Sequence, residues 1–153
     1  MSRIGYAIAV LCLLSGAGYA ALAQNLATSS TYPKLLRALV AGNNVAVTVH
    51  FDRCTVAGTQ TPGPELIGGL RIDRFLVPNH QYIAFSQTHE TLSPQNERVT
   101  EIIRYRVTPD DKMSIRTASI RERDGALSNQ AEYLCAIGEG VELIWSAHRG
   151  NQN

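Results

Sequence analysis

The chain has no Gly-x-Ser-x-Gly sequence. The sharp strand-to-helix turn that exposes a hydrolase serine is therefore not encoded. No cysteine pair has zinc-ligand spacing, and no His-x-His pair occurs. His50, His80, His89 and His148 are scattered, so no metal site is expected. Neither sign of charge dominates: Lys and Arg total 14, Asp and Glu 13. No global basic field recruits nucleic acid or an anionic membrane. Aromatic residues make up only 7%, too few beside the arginines for a base-stacking surface. There is no low-complexity tract and no repeat at solenoid periods. No cofactor motif is present, so none is expected. At 153 residues, one domain is the expected organisation.

What is present begins with a leader. Arg3 gives a positive start, and Ile4 to Leu14 is an apolar run interrupted by Gly5. Small residues follow and end in Ala21-Leu22-Ala23, an A-x-A cleavage signal before Gln24. The run is too short for a comfortable membrane span, so residues 1–23 read as a cleaved signal peptide. Removing Arg3 leaves 13 basic and 13 acidic residues, a mature net charge of zero with His neutral. Cys12 leaves with the leader, and Cys54 and Cys135 remain. Two cysteines in an exported chain most simply form one disulfide.

Residues 24–30 are small and polar and read as a flexible lead-in. A helix is expected from Thr31-Tyr32-Pro33, capped by a nearby Ser or Thr. Leu35, Leu36, Leu39 and Val40 form its apolar stripe, and Gly42 stops it. Val45, Val47, Val49 and Phe51 alternate with polar residues, the pattern of a half-buried strand. Thr55 to Pro64 reads as a loop. The segment Gly68 to Glu90 reads as a β-hairpin around Pro78-Asn79-His80-Gln81. Further strands are expected at 99–107, 112–122, 133–137 and 141–145, with a turn at Thr108-Pro109-Asp110-Asp111. The fold class is mainly β: an antiparallel small barrel or sandwich of about seven strands after one short helix, spanning 31–147. Residues 148–153 read as a disordered tail.

Phe85-Ser86-Gln87-Thr88-His89-Glu90 invites a nucleophile–base reading. On a strand, however, residues three apart point to opposite faces, which separates Ser86 from His89. Arg71, Arg74, Arg104 and Arg106 form a basic patch for a carboxylate or phosphate if their strands are neighbours. Asp73 and Glu101 lie among them, and the preferred expectation is a charge-paired, solvated face. Phe75, Tyr82, Phe85, Tyr105, Tyr133 and Trp145 either fill the core or line a cavity for a small apolar ligand. The residues expected to bind a ligand are Arg71, Asp73, Ser86, His89 and Arg104. No catalytic residue is assigned.

The ordered segments resemble the VirK protein family. They are Leu35-Leu36-Arg37-Ala38-Leu39-Val40-Ala41-Gly42 before a Val-rich strand and Cys54, then Ile67-Gly68-Gly69-Leu70-Arg71-Ile72. Ile83-Ala84-Phe85-Ser86-Gln87-Thr88-His89, Ile103-Arg104-Tyr105-Arg106-Val107 and Tyr133-Leu134-Cys135-Ala136-Ile137-Gly138-Glu139-Gly140-Val141 complete the pattern. Gln87 stands where the resemblance leads one to expect an acidic residue. The resemblance implies an exported bacterial protein linked to virulence in plant-associated species, and it supplies no reaction. The expectation is a periplasmic or secreted binding or interaction module without enzymatic activity. Its partner is an unidentified protein or small molecule outside the cytoplasm, with no nucleic acid and no membrane span after cleavage. The alternatives are a lipocalin-like carrier and a hydrolase using Ser86 and His89.

Overall fold

The computed structural model describes residues 30–146. The signal peptide read at 1–23, the lead-in up to Ser29 and the tail at 148–153 lie outside the described residues. One helix, α1 (Thr31–Val40), precedes eight strands. These are β1 (Asn44–His50), β2 (Thr55–Val56), β3 (Ile67–Arg71), β4 (Ile83–Leu92), β5 (Arg98–Val107), β6 (Lys112–Arg121), β7 (Leu127–Ala136) and β8 (Val141–Ser146). Three strands form one sheet in the order β3-β1-β8, and five form another in the order β2-β7-β6-β5-β4. All these pairings are antiparallel. The sheets do not close into a barrel, and the arrangement is sandwich-like.

Alternation decides which face each strand buries. Val45, Val47 and Val49 of β1 are fully buried, as are Ile83, Val107, Met113, Ile115 and Val141 on their own strands. Each such side chain stabilises the fold by about 1.5 to 3 kcal/mol relative to exposure. Phe85 stacks on Tyr105 with ring centroids 5.0 Å apart, and Phe51 meets Tyr133 edge-on at 5.1 Å. These aromatics fill the core.

The Gly68–Glu90 hairpin is corrected. The turn exists at Pro78–His80, where Asn79 and His80 take positive φ values of 49° and 56°. Only Leu76 and Ala84 pair across it. The preceding strand β3 crosses to the other sheet and pairs with β1, Gly69 opposite Thr48 and Gly68 opposite Val49. Glycine permits this approach: a Cβ on Gly69 would lie 2.8 Å from the Val47 carbonyl oxygen. The segment Ile72–Tyr82 is therefore a crossover between sheets. Two further differences concern strand content. β2 sits inside the expected loop and pairs with β7. β7 begins at Leu127, six residues before the apolar run that announces it, and a register shift between Thr117 and Ser119 accommodates it.

The bridge Cys54–Cys135 has a Cα separation of 4.5 Å. It ties the chain just after β1 to β7 and so fastens one sheet to the other.

Helix α1 is capped differently from the expectation. Ser30 makes no side-chain cap. Instead the Asp111 carboxylate accepts from the Thr31 and Tyr32 N–H groups, both at 2.8 Å, and from the Ser30 hydroxyl at 3.0 Å. A carboxylate here also meets the positive end of the helix dipole. Tyr32, Leu35 and Leu39 are buried, whereas Val40 is 71% exposed, so the stripe is rotated towards Tyr32. Asp111→Ala removes the cap at a residue with φ 57°. It should lower stability by about 2 kcal/mol. Asp111→Asn, which keeps an acceptor and tolerates that φ, should cost less. Urea unfolding midpoints check both, and equal losses would remove the capping account.

Candidate functional site

The outer face of the five-stranded sheet carries the polar half of each alternation. Ser86 of β4 lies opposite Arg104 of β5, Arg104 opposite Arg116 of β6, and Arg116 opposite Glu132 of β7. In the next row, Ala84 lies opposite Arg106, and Arg106 opposite Ser114. The Arg106 guanidinium sits 4.1 Å from the centre of the Tyr82 ring. The crossover rises beside this face. Its anchor is Ile72, buried, with its N–H on the Val45 carbonyl at 2.9 Å. Leu70 to Leu76 thus make one wall and the β4–β5–β6 rows the other, enclosing a cavity of about 960 Å³ that opens to solvent.

Charge in this cavity is one-sided. Arg71, Arg74, Arg104, Arg106 and Arg116 line it against Asp73 and Glu132, a surplus of three positive charges. Arg116 pairs with Glu132 at 2.9 Å, and the neighbouring carboxylate raises its guanidinium pKa. Among the described residues, the other four arginines make no ion pair, and neither does Asp73. The charge-paired face is therefore corrected. Glu101, expected among the arginines, turns to the opposite face. Arg104 and Arg116 stand directly across from each other, an arrangement that like charges disfavour. An anion between them would relieve it. The planar guanidinium fork matches a carboxylate or phosphate with two parallel hydrogen bonds.

Four of the five expected ligand-binding residues, Arg71, Asp73, Ser86 and Arg104, line this one cavity. His89 does not. It lies on the inner face, its Nε2 2.6 Å from Glu101 Oε2, in a second cavity of about 660 Å³ with Ile67, Ile103, Thr117 and Ser119. Strand alternation separates Ser86 from His89, so the nucleophile–base pair of the hydrolase alternative is not assembled. Nor does the carrier alternative find its enclosed barrel interior, because the sheets stay open. Burial raises the Tyr105 hydroxyl to about 12, so it is neutral at physiological pH. Arg116 and Glu132 are the charged lining residues that reading the sequence missed. The turn at Thr108–Asp111 sits midway between Arg104 and Arg116, so hairpin symmetry alone would have paired them. Glu132 was hidden by the register shift between β6 and β7.

Comparison with known proteins agrees with this fold. The VirK protein family matches residues 28–124, from α1 through β6. An uncharacterized protein of Sinorhizobium fredii, y4wH, is 32% identical over 121 residues, covering 76% of this chain and 81% of that protein. An uncharacterized protein from the pinF2 3′ region of Rhizobium radiobacter is 30% identical over 125 residues, covering 79% of this chain and 84% of that protein. The crystal structure of a VirK family protein from Legionella pneumophila superposes with a TM-score of 0.66 at 16% identity. It covers 75% of this chain and 96% of the other, and it shows a shared fold. The chain belongs to the VirK family.

Proposed function

We propose that this VirK protein is an exported, periplasmic or secreted binding module that holds a negatively charged partner or ligand without transforming it. The observation that carries the reading is the cavity lined by five arginines, four of them without an acidic partner among the described residues. Among the described residues neither histidine nor cysteine lines that cavity, so none supplies a histidine base to a nucleophile there. The disulfide and the leader support a location outside the cytoplasm. A partner met outside the cell agrees with the virulence association that the resemblance implies.

The test is a titration of the oxidised protein with tripolyphosphate and with citrate, followed by calorimetry at low salt. Arg71 and Arg104 are exposed, so Arg71→Glu/Arg104→Glu should fold normally. The double variant should weaken binding by about tenfold or more. Binding should also fall as salt rises. Equal affinity in the two proteins, or no binding by either, would overturn the proposal.

A further inference from the structure

Strand β4 is the last strand of its sheet. One edge pairs with β5 along its whole length. The other edge is used at a single point, where Ala84 and Leu76 exchange two hydrogen bonds of 2.8 Å. In an antiparallel ladder, alternate residues turn both N–H and C=O to the same side. Ser86, Thr88 and Glu90 therefore present theirs in line with Ala84. Among the described residues no strand receives them. Proteins usually blunt such an edge with proline, lysine or a bulge. β4 has no proline or lysine, and its register with β5 is unbroken.

The basic cavity lies along this same edge, since Ser86 and Thr88 line it together with Arg71, Arg74 and Arg104. A strand added to β4 would lie about 4.8 Å beyond it and about 10 Å from β5. Glutamate side chains on the outer face of that strand would meet Arg104 across Ser86, and Arg71 and Arg74 from the facing wall. We propose that β4 takes up an extended acidic peptide segment of a partner protein as an additional strand. The backbone edge supplies the shape and the arginines the charge. The inference rests on the anion-binding reading for its charge and on the free edge for its geometry.

The test uses the oxidised, isotope-labelled protein and four probes. They are a blocked peptide Glu-Val-Glu-Val-Glu-Val, the same peptide N-methylated on its valines, the same peptide N-methylated on its glutamates, and tripolyphosphate. A strand has two edges, and each methylation pattern blocks one of them. The parent peptide should slow hydrogen exchange at the Ser86 and Thr88 amides. One methylated form should bind about tenfold more weakly while the other keeps its affinity. If both methylated forms match the parent, or the peptide leaves those amides unprotected while tripolyphosphate binds, the added strand is wrong and anion binding stands. If no probe binds, both proposals fall.

Discussion

Reducing the Cys54–Cys135 bridge should lower the unfolding free energy by about 4 kcal/mol and the melting temperature by roughly 10 to 20 °C. The cysteines are 81 positions apart. By loop-closure entropy, releasing a loop of that length from the unfolded chain is worth about 4.5 kcal/mol, and measured values run somewhat lower. The native side adds to the effect. Both cysteines are buried, and the bridge holds the Phe51–Arg53 turn, the two-residue strand β2 and the β7 ladder in one place. β2 itself pairs with β7 at only two positions, Thr55 with Leu134 and Val56 with Tyr133. Thermal melts of oxidised and reduced protein, with Cys54→Ala/Cys135→Ala as a thiol-free control, measure the effect. A shift of only a degree or two would mean that packing alone fixes the sheets.

Gly63→Ala should cost about 3 kcal/mol, the next largest loss, although it adds a single methyl group. A Cβ there would lie 2.3 Å from the Phe51 carbonyl oxygen and 3.3 Å from the Tyr133 ring. The nearest obstacle is backbone and cannot rotate away. It is also committed, because the Gly63 N–H donates to the Cys54 carbonyl at 2.9 Å while the Phe51 carbonyl accepts from the Cys54 N–H. Gly58→Ala is the comparison. That site has open space around it and a φ of 77°, so its cost is conformational, about 1 kcal/mol. Chemical denaturation should separate the two variants clearly. Similar losses would show that the loop moves aside, and the close approach would not matter.

The parts of the fold that were legible in the sequence are those set by short-range periodicity. The alternation of Val45, Val47 and Val49 located β1, and the turn at Thr108–Asp111 located the β5–β6 hairpin. What escaped depends on distant partners. Gly68 onward reads as the first arm of a hairpin with β4, but only the fold shows that its neighbour is β1. Leu127 to Glu132 is too polar to read as strand, and it becomes one because β6 offers a ladder. Asp111 caps a helix some eighty positions upstream, which no local motif encodes. The site divided along the same line. Arg71, Asp73, Ser86 and Arg104 could be proposed together, whereas His89 went to the other face by strand parity.

The crossover and the distant helix cap bear on the order of assembly. The β4–β5–β6–β7 meander joins strands that are neighbours in sequence, so it needs only local closures, which form early. The beginning of the chain has no such freedom. Helix α1 awaits Asp111, β1 awaits β8 on the side away from β3, and Cys54 awaits Cys135. The earliest elements of the described fold, α1 and β1, are thus among the last to find their place. Under the proposed export, this ordering keeps α1 and β1 slack until β8 has cleared the membrane.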